Sequence, residues 1–278
     1  MSISQQAIPS NWQATAFNQS TDSTNQIHSD EMAQAYGFKG GLVPGVTVSS
    51  YLIHPAVVAW DTDWLTRGNA HVVVSKPLYD GYDFEVTLSD VTENSYRATL
   101  TDQEGTQCAT GYMHLPEKVK DAPLMRGDSI LQRGQDIPRA TRQEMEQLKL
   151  NGLFALRARW DDNTNMATYL KDPTQMPDMH SFNKRAFANG AFMLGMTNWV
   201  LAGNAYMNPW IHLQTDSQNY AIVENGTDLI VECDISDLFE KKGHEFVDVN
   251  VDIYDAETSN AVMSARLRAI YQLRKKTP

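Results

Sequence analysis

Residues 25–45, Asn-Gln-Ile-His-Ser-Asp-Glu-Met-Ala-Gln-Ala-Tyr-Gly-Phe-Lys-Gly-Gly-Leu-Val-Pro-Gly, carry the residue types and spacing with most chemical potential in this chain. His28 lies on a polar approach, a glycine-rich bend follows, and an apolar helix is expected to start after Gly45. A histidine, with an ordinary pKa of about 6.5, exchanges protons near neutrality. The first turn of a helix leaves backbone N–H groups without partners, and such donors hold negative charge developing on a carbonyl oxygen. The order therefore offers proton transfer beside carbonyl polarisation.

Other chemistries lack their residues. The chain has no Gly-x-Ser-x-Gly elbow and no phosphate-binding glycine loop. Its histidines show no His-x-x-x-His spacing, and there is no Cys-x-x-Cys, so no metal site is expected. Cys108 and Cys233 each fall within a strand-like alternation and read as buried, inert thiols. The net charge is −11, and the one basic cluster, Arg274-Lys275-Lys276, is terminal, which argues against a nucleic-acid partner. No apolar run reaches the roughly 18 residues of a membrane span. Met1 to Trp12 lacks the pattern of a signal peptide, so a cytoplasmic location is expected. With 278 residues, 42% hydrophobic and 21% charged, the chain is long enough for one large domain or two ordinary ones.

Internal similarity favours two halves. Asp80-Gly81-Tyr82-Asp83-Phe84-Glu85-Val86 resembles Asn225-Gly226-Thr227-Asp228-Leu229-Ile230-Val231, 145 residues on (226 − 81), and Gly45 stands at the same offset from Gly190. Asp102-Gln103-Glu104 matches Asp255-Ala256-Glu257 at 153, and the eight extra residues are assigned to an enlarged turn at Phe239–His244. The expected organisation is a tandem duplication: a unit at 1–115, a linker at 116–150 ending in a short amphipathic helix near Thr141–Leu150, and a second unit at 151–278. Each unit has one helix, from Val46 to Trp60 and from Arg185 to Leu201, followed by alternating strands. An antiparallel sheet curled around each helix buries both, and pairing the two sheets edge to edge removes two exposed edges. His180-Ser181 repeats His28-Ser29, but the 145 offset puts Pro173 opposite His28, so His180 is expected to cap or to face solvent. Asp30 is expected as the N-cap of a short helix over Glu31–Tyr36.

This architecture, an α+β double hotdog, is shared by the MaoC-like dehydratases, among them the (R)-specific enoyl-CoA hydratases, and the segment from Asn25 resembles their signature. Asn25, Ile27, His28, Asp30, Ala33, Gly37, Phe38, Gly41, Val43 and Gly45 match it. Gln26 replaces the family's proline, Pro44-Gly45 its His-Gly, and the position of its catalytic aspartate falls on Ser23, with Asp22 one residue upstream. The second half matches as fold only.

The resemblance implies reversible hydration of a trans-2-enoyl-CoA, or of an acyl-carrier thioester, to a 3-hydroxyacyl thioester. His28 would be the base or relay, Asp22 would orient the ring and share the proton, and the N–H of Gly45 would hold the thioester oxygen. Asn25 would position water or fix the loop, and Ser23, Gly41 and Pro44 would line the substrate. The second half would be scaffold and tunnel wall. No cofactor is expected beyond the coenzyme A or phosphopantetheine of the substrate, and a homodimer of such chains is compatible with this reading. Ser23 motivates an alternative, a non-catalytic acyl-CoA or lipid-binding protein. An acyl-CoA thioesterase is less favoured, because helices 46–59 and 185–201 contain no Asp or Glu.

Overall fold

The computed structural model describes residues 7–181 and 185–274; the basic Lys275 and Lys276 lie outside the described residues. The strands, in chain order, are β1 (Trp12–Thr15), β2 (Asn69–Val74), β3 (Asp83–Ser89), β4 (Ser95–Asp102), β5 (Gln107–His114), β6 (Leu156–Arg159), β7 (Ile211–Asn219), β8 (Asp228–Lys241), β9 (His244–Asp255) and β10 (Ala261–Gln272). The helices are α1 (Asp30–Ala35), α2 (Gly45–Arg67), α3 (Arg142–Asn151) and α4 (Gly190–Asn204). All ten strands form one antiparallel sheet in the order β1-β3-β4-β5-β2-β7-β10-β9-β8-β6. Read outward from the β2–β7 seam, the two sides repeat each other strand for strand.

The repeat extends to single hydrogen bonds. Ala16 N–H donates to Tyr82 O at 2.8 Å, and Trp160 N–H donates to Thr227 O at 3.0 Å. The Gly81 N–H meets Ala16 O at 2.9 Å, and that of Gly226 meets Trp160 O at 3.0 Å. The turn side chains match too: Asp80 Oδ1 accepts from Asn18 N, and Asn225 Oδ1 from Asp162 N. Both turn glycines have positive φ, 74° and 86°, which favours glycine there.

The sheet wraps α2 and α4. Fifteen residues of α2 are buried, as its all-round apolar sequence demands. Its backbone kinks at Asp61 (φ 49°), and Gly68 ends it against the Trp64 ring, where a Cβ would lie 2.5 Å from ring carbons. In β9, Val247, Val249, Val251 and Ile253 are completely buried, so strict alternation puts one apolar face on the core. Cys108 and Cys233 are free, buried thiols, both pushed up to about 12, mainly by burial.

Two expectations need correction. The extra eight residues of the second half do not enlarge a turn. Lys242 (φ 56°) and Gly243 (φ 78°) make a two-residue turn with both residues left-handed, and β8 and β9 pair up to Lys241 and His244, with Phe239 stacked on Phe246. The insertion therefore lengthens a hairpin. The helix expected from Arg185 begins at Gly190, where Asn189 caps it by accepting from Phe192 N at 3.1 Å.

Between the units, residues 126–128 are pinned across β8. The fully buried Glu232 carboxylate accepts from the backbone N–H groups of Arg126, Gly127 and Asp128 at 2.7–2.9 Å.

Candidate functional site

The loop after β1 leaves the first unit and docks on the second. Asn25 makes both of its docking bonds to one residue: its Nδ2 donates to Trp210 O at 3.0 Å, and its Oδ1 accepts from Trp210 N at 3.2 Å. Gln26 N donates to Asn208 Oδ1 at 3.1 Å, and Asn18 Nδ2 to His28 O at 3.0 Å. One turn of 3₁₀ helix, Gln26–His28, then presents the His28 ring. Of the roles expected for Asn25, fixing the loop is the one these contacts carry.

The His28 tautomer follows from its partner. Nδ1 lies 2.7 Å from Leu42 O, and a carbonyl oxygen only accepts, so Nδ1 carries the proton. Burial pushes the ring below the ordinary histidine value, and the Leu42 bond offsets part of that. Nε2 therefore keeps its lone pair at neutral pH, with Asn25 Nδ2 at 3.5 Å. His28 lines a crevice with two arms. An apolar arm of about 140 Å³ runs between Ile27, Phe38, Leu42, Leu78 and Ile211. A more polar arm of about 260 Å³ runs between Gln19, Asp22, Ser23, Asn165, Met166 and Trp199. Asn25, His28, Asn198 and Trp210 line both.

The first turn of α2 opens on the same crevice. Pro44 stands at the cap position with no side-chain acceptor, and Thr47 N and Val48 N use its carbonyl. Among the described residues, the N–H groups of Gly45 and Val46 meet no acceptor. Gly45 lines the apolar arm, and Pro44 and Val46 the polar one. A Cβ on Gly45 would lie 3.0 Å from His212 Cδ2, so the close approach of helix to ring favours glycine.

His212 belongs to a group that the sequence reading missed. Its Nδ1 donates to Asn198 Oδ1 at 2.9 Å, and Thr215 Oγ1 donates to its Nε2 at 2.5 Å. Burial pushes His212 down to about 3, so the ring is neutral and this assignment is self-consistent. With Asn198 Oδ1 occupied, its Nδ2 is left as a donor for the crevice. The available signal was one amide inside the apolar run of α4. Trp199 is 38% exposed and lines the polar arm.

The remaining expected residues separate. Asp22 and Ser23 are exposed on the wall of the polar arm, and Ser23 Oγ accepts from Asn25 N at 3.1 Å. The His28 ring is held by Leu42 and Asn25 rather than by Asp22. Gly41 does not line the crevice. Its N–H donates to Asp30 Oδ1 at 2.7 Å, and a Cβ there would lie 2.2 Å from His28 O. Asp30 accordingly closes the glycine bend; Ser29 stands at the cap position of α1. His180 is neither capping nor exposed: it is 3% accessible, inside the second unit. Among the described residues no group of three or more His, Cys, Asp or Glu is placed to hold a metal ion, and no helix is long and apolar enough to cross a membrane.

No family model and no curated protein sequence matches the chain. Solved structures do. A conserved hypothetical protein of Mycobacterium tuberculosis, described as having a double hotdog fold, is 12% identical, over 94% of this chain and 96% of that one, with a TM-score of 0.58. This chain is a double hotdog protein.

Two other likenesses differ in their described chemistry. A putative MaoC domain protein dehydratase from Chloroflexus aurantiacus is 10% identical over 99% of this chain and 97% of that one, at a TM-score of 0.55. A putative thioesterase II from Thermobifida fusca is 13% identical over 97% of each, at 0.52. At such identities the likeness establishes the double hotdog fold alone.

Proposed function

We propose that this double hotdog protein is an acyl-thioester hydro-lyase that adds water to a trans-2-enoyl thioester, reversibly. The observation that carries the reading is the His28 ring, held by Leu42 O so that Nε2 is left as its acceptor, beside Asn25 Nδ2, in a crevice that the uncapped start of α2 also lines.

The chemistry then runs as follows. Nε2 of His28 takes a proton from water as the oxygen attacks the β-carbon. The π electrons move toward the thioester carbonyl, and the N–H groups of Gly45 and Val46, at the positive end of α2, hold the developing negative oxygen. The imidazolium returns the proton to the α-carbon. One water is consumed, and His28 ends as it began. Asn198 Nδ2 is placed to hold the attacking water or the carbonyl. The reading holds equally for a thioester of coenzyme A and for one of a phosphopantetheinyl protein.

Thioester hydrolysis is the second reading, since the similar folds include proteins described as thioesterases. Against it, the polar α4 side chain that reaches the crevice is the amide of Asn198, not a carboxylate. Crotonyl-CoA separates the readings. Hydration removes the absorbance of the conjugated thioester and releases no thiol; hydrolysis releases free thiol; a binding protein does neither.

A further inference from the structure

The second unit contains a cavity related to the crevice by the repeat. Phe187 N–H donates to Met179 O at 3.1 Å, as Leu42 N–H does to Ile27 O at 3.2 Å. Ala188 N–H meets Val223 O, and Val43 N–H meets Leu78 O, both at 2.9 Å. Gly190 opens α4 as Gly45 opens α2. A turn of 3₁₀ helix ends at His180, as one ends at His28. His180 therefore occupies the position of His28, seven residues out of the 145 register, because the stretch from His180 to Phe187 is seven residues shorter than that from His28 to Leu42.

The two rings differ in what they meet. His28 is fixed by Leu42 O, whereas neither nitrogen of His180 has a hydrogen-bond partner among the described residues. A buried polar group left unpaired is costly, and native proteins seldom tolerate one without an occupant or a use. The ring lines a cavity of about 40 Å³ walled by Ile53, Val57, Met193, Leu194 and Val262, with partly exposed Ala221 and Ile222 also lining it.

We propose that this cavity is a second binding site, for an uncharged aliphatic molecule whose single hydroxyl or carbonyl group hydrogen-bonds to His180. The volume admits the polar end of such a molecule, and the partly exposed Ala221 and Ile222 leave its apolar remainder a way out. No charged side chain lines the cavity. Burial, and to a lesser extent His54, hold the ring down at about 3, so it offers one donor and one acceptor and no charge. The site is built to bind rather than to repeat the first unit's chemistry. Ile53 stands where the first crevice has Asn198. The position of uncapped Pro44 is taken by Asn189, whose side chain occupies a first-turn N–H of α4.

The test is independent of the hydro-lyase reading. Ring-labelled protein is titrated with 1-butanol while the imidazole nitrogen resonances are followed. The expected result is a saturable shift at His180, with a dissociation constant on the order of 1–10 mM for so small a probe. The shift survives His28→Ala and is lost in Val57→Phe, which fills the cavity while leaving the ring in place. No saturable shift at His180 up to about 100 mM, the signature of a site that takes water only, overturns the proposal. So does a shift undiminished by Val57→Phe.

Discussion

His71 and Asp216 are one and the same position of the repeat, 145 residues apart, and their side chains pair across the seam between the two units. They stand opposite each other in the β2–β7 ladder, with Val72 against Thr215 and Ala70 against Ser217 on either side. The pseudo-twofold axis passes between them. The ladder, not the pair, joins the units, because both side chains are nearly half exposed (44% and 45%). Removing the pair with His71→Ala and Asp216→Ala is expected to change stability by less than about 1 kcal/mol. Urea unfolding measures this, and a larger loss would make the pair the clamp.

Across that axis, the second unit lends the crevice Asn198. In Asn198→Leu the donor is gone and the Nδ1–H of His212 is left buried without an acceptor. The expected cost is about 1–3 kcal/mol of stability. Hydration should slow by roughly ten- to a thousandfold, if the amide holds charge or water in the transition state. Steady-state kinetics with crotonyl-CoA reads it; a rise in KM with kcat unchanged would make Asn198 a binding contact only.

Two glycines separate geometry from chemistry. Gly41→Ala forces a Cβ to within 2.2 Å of the His28 carbonyl, so the bend itself must move. It is expected to cost about 1–3 kcal/mol, read in urea, as well as activity. Gly45→Ala brings its Cβ to 3.0 Å from the His212 ring, a gap that a small shift relieves. Stability should then change by less than about 1 kcal/mol. The rate should fall at least about tenfold, because the first-turn donors are displaced.

The protein should be labile to acid. Burial holds His54 at about 4 and both His180 and His212 at about 3. The unfolded chain takes up these protons near pH 6.5 and the folded chain does not. Stability is therefore complete above about pH 6.5 and declines as pH falls toward the folded values. The three rings together give a slope of up to about 4 kcal/mol per pH unit. Urea midpoints between pH 7 and 5 measure it, and His180→Leu should remove about a third of the slope. An unchanged slope would mean that His180 is already paired or charged.

The start of α2 was legible beside Gly45, and the strands because Val247 to Ile253 alternate without a break, whereas α4, expected from Arg185, begins five residues later at Gly190, where Asn189 caps it. Local signals failed where a partner is remote in sequence. Asp30 looks like a cap, yet its carboxylate reaches Gly41, eleven residues on. Asn198, His212 and Thr215 are joined only once α4 packs on β7. His180 was misplaced because a fixed offset cannot follow a loop that is shorter in one unit, whereas the matching bonds of Leu42 and Phe187 do follow it.

The most direct test is hydration of crotonyl-CoA by the wild-type protein and by His28→Gln, across pH. Since burial lowers the His28 pKa, the wild-type rate should be level through neutrality and fall on an acid limb centred below about pH 6.5. His28→Gln, folded by circular dichroism, should lose about two to four orders of magnitude in kcat and lose that limb with it. Turnover by the variant at the wild-type rate, or none by the wild type with any enoyl chain length, would contradict the account.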